Sequence, residues 1–374
     1  MKKTPLPSVL GGISPEAFMR QYWQKKPLLI RQAVPAMKPL LSRQALFAMA
    51  GQDAVETRLI TGDTQTNHWT LAHGPFKPRA LPALKQTHWT LLLQGMDLHD
   101  DAVAALRDRF RFVPDARLDD LMISFATDGG GVGPHFDSYD VFLLQAQGQR
   151  RWRISPQKDL RLREDLPLKI LKAFKPTETW VLDAGDMLYL PPHYAHEGVA
   201  VGECMTYSIG FKAESPQSLA QELLPRLVDM GPEVDLARYA DPRQTATSQP
   251  AQIPAALQQF ARKAVLQAVQ HPGDLHCALG ELLSEPKSQV WFEGQALPRQ
   301  LRGVRLDRKT KMLYDDDFVF INGESWRCKG QDARHLRLLA DQRFLPAAQV
   351  AKASVALKNL LKDWWAAGWL QSDQ

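Results

Sequence analysis

The sequence predicts an α+β protein: a jelly-roll-like β-barrel, then a helical region, then a small unit of helices and a hairpin. Three observations carry this. Between Asp119 and Phe211, short apolar runs alternate with Gly and Pro, the pattern of many short strands joined by turns. After Phe211, apolar residues fall at helical spacing, in one stripe from Pro216 to Met230 and another from about Ile253 to Val269. Near the end, Lys311-Met312-Leu313-Tyr314 and Phe318-Val319-Phe320-Ile321 flank the acidic turn Asp315-Asp316-Asp317, with the turn signal Asn322-Gly323 behind them. Divided at these changes, the chain reads as 1–213, 214–275 and 276–374.

Ser14-Pro15-Glu16 starts a helix, with Ser14 as cap and Pro15 at its first position, and Lys26-Pro27 ends it before the strand Leu28-Leu29-Ile30. A helix over 38–57, strands at His68-Trp69-Thr70-Leu71 and over 89–94, and a helix over 99–110 follow. The barrel strands are expected at 121–126, 135–145, 150–154, 179–182, 187–190 and 204–211. Asp241 to Gln252 is polar and turn-rich and reads as a surface linker. The final helices are expected near 332–341 and 347–367. Trp364, Trp365 and Trp369 form the core of this last unit, and Arg334, His335, Arg337 and Arg343 its solvated basic face.

At 374 residues the chain exceeds a single core, so more than one domain is expected. The net charge of +5 suits an acidic or nucleic-acid-associated partner as well as an ordinary enzyme. Cys204, Cys277 and Cys328 are scattered and form no Cys-x-x-Cys pair, which argues against structural zinc and for a reducing compartment. Met1-Lys2-Lys3 begins like a signal peptide, but Pro5, Pro7 and Gly11-Gly12 interrupt any apolar stretch. A cytoplasmic protein without membrane partners is expected.

The chemistry concentrates at His135-Phe136-Asp137 and at His196, in Leu190-Pro191-Pro192-His193-Tyr194-Ala195-His196-Glu197-Gly198. Two histidines and one carboxylate can occupy one face of an octahedral metal and leave the other positions open, the ligand set of non-heme Fe(II) oxygenases. On a strand, His135 and Asp137 point to the same side. His193 is the rival third ligand; the Pro pair leads into a loop containing it, which favours His196 at the start of the next strand.

In Arg150-Arg151-Trp152-Arg153-Ile154, strand alternation puts Arg150 inward with Trp152 and Ile154, and Arg151 and Arg153 outward. A buried guanidinium needs an anion. That anion is either an internal Asp or Glu, or the distal carboxylate of a bound 2-oxoglutarate. Ser124 either adds a hydroxyl to the same carboxylate or is a core serine. Tyr139 shares the parity of His135 and Asp137 and belongs to the pocket or to the barrel core. Asp140 has the opposite parity and reaches a cationic substrate group only through a twist or bulge. His68, His73, His88 and His99 lie outside the barrel pattern.

The chain resembles the Jumonji-C 2-oxoglutarate oxygenases, and within them the bacterial ribosomal oxygenases. The resemblance rests on Tyr22-Trp23-Gln24-Lys25-Lys26-Pro27-Leu28, on Asp119 to Phe125, and on Gly129-Gly130-Gly131-Val132-Gly133-Pro134-His135-Phe136-Asp137-Ser138-Tyr139-Asp140. Arg150 to Arg153, Gly185 to Pro192 and His196-Glu197-Gly198 complete it. It implies a double-stranded β-helix, cupin-like, with Fe(II) on His135, Asp137 and His196 and the 2-oxoglutarate carboxylate at Arg150 and Ser124. It also implies O2 as oxidant, a homodimer through 214–275, and a winged-helix-like C-terminal domain without the usual DNA-binding role. The implied substrate is an arginine of a large-subunit ribosomal protein, received by Tyr139 and Asp140. The competing readings are a metal- or ligand-sensing regulator with a DNA-binding winged helix, and the same oxygenase acting on histidine, methyl-lysine or RNA.

Overall fold

The computed structural model describes residues 9–63, 68–230, 238–242, 246, 249, 251–269 and 272–372. They divide into two compact units, Met1–Ala213 and Glu214–Gln374. Half of the linker expected over 241–252 falls outside the described residues, and all of Met1-Lys2-Lys3 does.

In the first unit, α1 (Pro15–Gln21) begins where the Ser14 hydroxyl accepts from Ala17 N, the side-chain cap that its sequence calls for. β1 (Leu28–Ile30) follows, then α2 (Arg43–Met49), capped by Ser42. The helix expected over 38–57 is thus only seven residues long. Its C-terminal end opens β2 (Thr57–Asp63), which pairs with both β3 (His68–His73) and β4 (Trp89–Leu93). Asp100 caps α3 (Asp101–Asp108) by accepting from Ala102 N and Val103 N.

The barrel strands are β5 (Leu118–Ala126), β6 (Val141–Ser155), β7 (Glu178–Leu182), β8 (Met187–Leu190) and β9 (Ala195–Phe211). The antiparallel order is β1-β8-β6-β9-β5-β4-β2-β3, with β7 also on β6. The first half of β6 pairs with β8 and its second half with β7, while β9 follows it throughout. Two register shifts, between Gln145 and Gln149, divide these halves, and Gly148 sits there at φ 64°, a conformation that glycine adopts without strain. The strands expected at 135–145 and 150–154 are therefore one strand, and it starts only at Val141.

This curl gives the sheet two buried faces. The outer one joins Phe142, Tyr189, Tyr207 and Phe125 to Phe18, Leu46 and Phe110 from the flanking segments. The inner one carries Val141, Leu143, Trp152, Ile154, Leu188 and Leu190. Residues facing inward are odd-numbered before the bulges and even-numbered after them.

In the second unit, α4 (Pro216–Met230), α5 (Ala255–Ala268) and α6 (Pro272–Ser284) precede β10 (Val304–Leu306), β11 (Met312–Tyr314), β12 (Phe318–Ile321) and β13 (Glu324–Arg327). Then come α7 (Gly330–Gln342), β14 (Phe344–Leu345), α8 (Ala347–Lys352), α9 (Val355–Ala366) and β15 (Leu370–Ser372). Two three-stranded sheets form, β11-β12-β13 and β14-β10-β15. The helix expected over 347–367 is broken at Ala353, which is extended at ψ 148°, and Ser354 caps the new helix by accepting from Leu357 N. Trp364 and Trp365 lie in this core with Leu336, Leu339 and Leu361. His335 does not belong to a solvated face: it is buried, with Nε2 3.1 Å from Gln349 Oε1. Among the described residues no helix is long and apolar enough to cross a membrane.

Asp97 and Arg107 form a buried pair at 2.6 Å, and the other Asp97 oxygen accepts from Leu121 N, tying α3 to β5. Without Asp97, Arg107 keeps Asp108, 2.8 Å away, but the Leu121 N–H loses its acceptor. Asp97→Ala should lower the unfolding free energy of this unit by about 1–3 kcal/mol. Asp159→Ala, which breaks an exposed pair with Arg161, should leave the midpoint of a urea titration unchanged, because water screens that pair.

Candidate metal centre and the pocket beside it

His135 and Asp137 lie in an irregular stretch ahead of β6, not on a strand as expected. Tertiary pairing places them instead. His135 N donates to His196 O at 2.9 Å and His196 N donates to His135 O at 2.8 Å, an isolated antiparallel bridge. On its other side His196 pairs with Ile154 of β6. One ligand atom from each of His135, Asp137 and His196 can then lie within 4.8 Å of the other two. His196 Nε2 is 3.7 Å from Asp137 Oδ2.

Backbone carbonyls set the tautomers. His135 Nδ1 lies 2.9 Å from Gly133 O and His196 Nδ1 2.9 Å from Tyr194 O. A carbonyl only accepts, so each Nδ1 carries a proton and Nε2 is the nitrogen left to face a metal. Burial, and then the neighbouring His135, hold the His196 imidazole at about 4, against the pull of Asp137. It is neutral at pH 7, the state a metal ligand requires. His193 is exposed on the turn before β9 at φ 61°, with its N–H on Asp137 O, and lies outside the cluster.

The Arg150 side chain is 5% exposed on the inner face, as its parity after the bulge requires. Its Nη1 donates to Ser124 Oγ and Thr206 Oγ1, both at 3.2 Å. Thr206 Oγ1 passes its own proton to Gln145 Oε1 at 2.9 Å, and Gln145 Nε2 donates to Gln147 O at 2.8 Å. Ser124 Oγ donates to Thr206 O. No carboxylate among the described residues pairs with Arg150, and its Nε has no partner. The internal ion pair left open by the sequence is not formed.

Thr206 and Gln145 were missed in the sequence. The β5–β9 register sets Ser124 opposite Thr206, and the β6–β9 register sets Gln145 there too; neither register can be counted from strand parity across a bulge. Trp152 packs its ring 5.9 Å from the His196 ring. Gly198, directly opposite Trp152, makes room for it, since a Cβ there would sit 2.7 Å from the indole.

Tyr139 and Asp140 separate. Tyr139 is 42% exposed; burial of the rest, then the carboxylates of Asp137, Asp120 and Asp119, push its phenol up. Asp140 is fully buried, accepting from Tyr189 Oη at 2.6 Å, Gln24 Nε2 at 3.0 Å and Arg117 Nη2 at 3.4 Å. The expectation that Asp140 receives a substrate cation is corrected: its carboxylate is spent on the outer core. His68 and His73 are exposed on β3.

The JmjC domain family matches residues 105–219, and the ROXA-like winged helix family matches residues 267–371. The ribosomal protein uL16 3-hydroxylase of Escherichia coli K12 is 34% identical over 278 residues, 73% of this chain and 72% of that protein. The chain belongs to the JmjC ribosomal oxygenases. A probable ribosomal oxygenase of Haemophilus influenzae is 30% identical over 247 residues, 63% of this oxygenase and 59% of its own length. The structure of E. coli YcfD matches with a TM-score of 0.83 at 28% identity, covering 96% of this oxygenase and 98% of that chain. YcfD in complex with cobalt and 2-oxoglutarate matches at a TM-score of 0.80 and 28% identity over the same shares. The fold is thus the cupin-like double-stranded β-helix of this family with a C-terminal winged helix.

The His196 shift has a consequence for stability. Between about pH 6.5 and 4 the unfolded chain binds a proton at this residue that the folded chain does not. Stability of the metal-free protein should therefore fall on acidification through that window, by roughly 3 kcal/mol from this group, and level off below it. His196→Asn should flatten that part of the profile in chemical denaturation.

Proposed function

We propose that this chain is an Fe(II)- and 2-oxoglutarate-dependent oxygenase that hydroxylates a ribosomal protein, at an arginine of a large-subunit protein. The observation that carries the reading is the pairing of the His135–Asp137–His196 cluster with a buried arginine that has no carboxylate partner among the described residues. Two imidazoles and a carboxylate fit a divalent iron and leave other positions open. Arg150, with Ser124 and Thr206 beside it, fits the distal carboxylate of a dicarboxylic acid. When bound, iron and 2-oxoglutarate supply the oxidising power by which O2 puts one oxygen atom into a C–H bond and the other into succinate, with loss of CO2.

The chain's own residues bind and orient. His135, Asp137 and His196 hold the metal, with the Nδ1 hydrogen bonds fixing both ring planes. Arg150 is held by Ser124 and Thr206, so its guanidinium is set before the acid arrives. Half-exposed Tyr139 stands among Asp137, Asp120 and Asp119. An aromatic face within carboxylate surroundings favours a cationic side chain, a guanidinium above a neutral imidazole. The name of the E. coli relative, a uL16 3-hydroxylase, supports a large-subunit ribosomal protein as the substrate. The winged helix carries Asp315, Asp316 and Asp317 on its hairpin turn, a charge ill suited to phosphate, which favours the enzyme over a DNA-binding regulator.

A second copy is the proposed assembly partner. On α5, Leu257, Phe260 and Val265 are exposed at i, i+3 and i+8, one apolar stripe, and Leu224 and Val228 of α4 are exposed one turn apart. Such a stripe needs a burial partner.

Incubating the protein with Fe(II), 2-oxoglutarate and ribosomes should add one oxygen to an arginine-containing peptide of a large-subunit protein, by mass spectrometry. A gain on histidine, lysine or RNA alone would reject the arginine assignment. His135→Ala, Asp137→Ala and His196→Ala should each abolish turnover and weaken metal binding, while His193→Ala should keep most of both. Arg150→Ala should raise the 2-oxoglutarate requirement about a hundredfold, the loss of a buried charged pair; exposed Arg151→Ala should move it by less than about threefold. Sedimentation equilibrium at micromolar concentration should give a dimer, and Phe260→Asp with Val265→Asp should give monomers.

A further inference from the structure

The inner face of β6 holds a second unsatisfied donor. Trp152 is 5% exposed, and its indole Nε1, like Arg150 Nε, is buried with no hydrogen-bond partner among the described residues. The two side chains stand at i and i+2 on one strand face, with the guanidinium carbon 5.5 Å from the centre of the Trp152 ring. The centre of the same ring lies 5.9 Å from that of His196. Trp152 thus neighbours both the arginine and the metal cluster.

Burying an N–H without an acceptor costs on the order of 1–3 kcal/mol, and native chains rarely leave one so. Both orphaned groups can only donate. One anion lying between the two side chains would accept from both and match a guanidinium that no carboxylate among the described residues neutralises. A core tryptophan needing only bulk would be served by phenylalanine, yet Gly198 is kept bare beneath this ring to admit the indole, where a Cβ would lie 2.7 Å away. Apolar neighbours Ile154 and Leu182 offer no acceptor side chain.

We propose that Trp152 is a ligand-contacting residue, its indole N–H donating to the same bound dicarboxylate that Arg150 holds. This rests on the co-substrate reading given above and adds to it a second anchor on the same strand. The indole then orders the acid along the line from Arg150 to His196, so that one end is fixed as the other meets the metal ligands.

Binding of 2-oxoglutarate to the Zn(II)-loaded full-length protein, measured by calorimetry, tests this without turnover. Trp152→Phe keeps a ring against His196 and removes the N–H. It should weaken 2-oxoglutarate about tenfold, the loss expected for one hydrogen bond to a charged group, and leave Zn(II) affinity and Tm near wild type. In the wild-type protein, one of the ten tryptophan indole N–H resonances, assigned to Trp152 through its own ring protons, whose Cζ3–Cη2 edge lies against Gly198, should move downfield on saturation with the acid. That measurement stands even where the variant does not fold. Binding by Trp152→Phe within twofold of wild type, or an indole resonance that does not move, overturns the proposal. So does a loss of Zn(II) affinity equal to the loss of 2-oxoglutarate, which marks a packing role at His196. If Arg150→Ala also binds the acid as wild type does, the co-substrate reading itself has failed; if only Trp152→Phe does, the reading stands and this proposal falls.

Discussion

The metal cluster depends on two backbone hydrogen bonds, from His135 N to His196 O and from His196 N to His135 O. They fasten the irregular segment ahead of β6 onto the first residues of β9, which β6 holds from its other side. The rings come within 4.2 Å of each other as a result. Because each imidazole also donates Nδ1–H to a carbonyl two residues before it, ring rotation is limited at both ligands. The backbone therefore fixes position and tautomer together, and the low proton affinity of buried His196 keeps its lone pair available.

Each ligand segment is also braced from behind by a buried carboxylate that faces away from the centre. Asp140, three residues after Asp137, is gripped by Tyr189, Gln24 and Arg117. Glu197, next to His196, pairs with Arg153 directly opposite on β6. Removing Asp140 would strand the buried Tyr189 hydroxyl, whereas Arg153, 36% exposed, could turn to water without Glu197. The N-terminal segment enters the site's support in this way, through Gln24 and through Phe18, which packs on Tyr189 and Phe142.

Beside the metal cluster, the inner face keeps charge where apolar packing would be expected. Arg150 is desolvated, and hydroxyls answer it instead of a carboxylate. The hydrogen bonds run in one direction, from Arg150 to Thr206 to Gln145 to a backbone oxygen, so every hydroxyl proton is already committed. Neutral partners hold the guanidinium in place but leave its charge unbalanced. Such an arrangement is stable in proportion to how well an anion completes it.

Local chemistry made much of this legible. Ser14-Pro15 capped a helix, Ala184-Gly185-Asp186 turned the chain before β8, and the residues His135, Asp137, His196, Arg150 and Ser124 were marked by their types and context. What local pattern misjudged were places where distant pairing overrides it. The helix read over 38–57 keeps only Arg43–Met49, and Thr57 already belongs to the strand that β3 and β4 hold in the sheet; 135–140 read as strand although only one bridge forms there. Parity put Asp140 opposite Asp137, and it does lie in the outer core; no bulge there turns it to the metal side. Parity succeeded at Arg150 because the count began beyond the bulges at Gln145 to Gln149. The sequence by itself determined which side chains could bind a metal and an acid, since that is a matter of residue chemistry. Only the tertiary structure decided which of them share a cavity, because strand register and bulges are set by pairing between segments far apart in the chain.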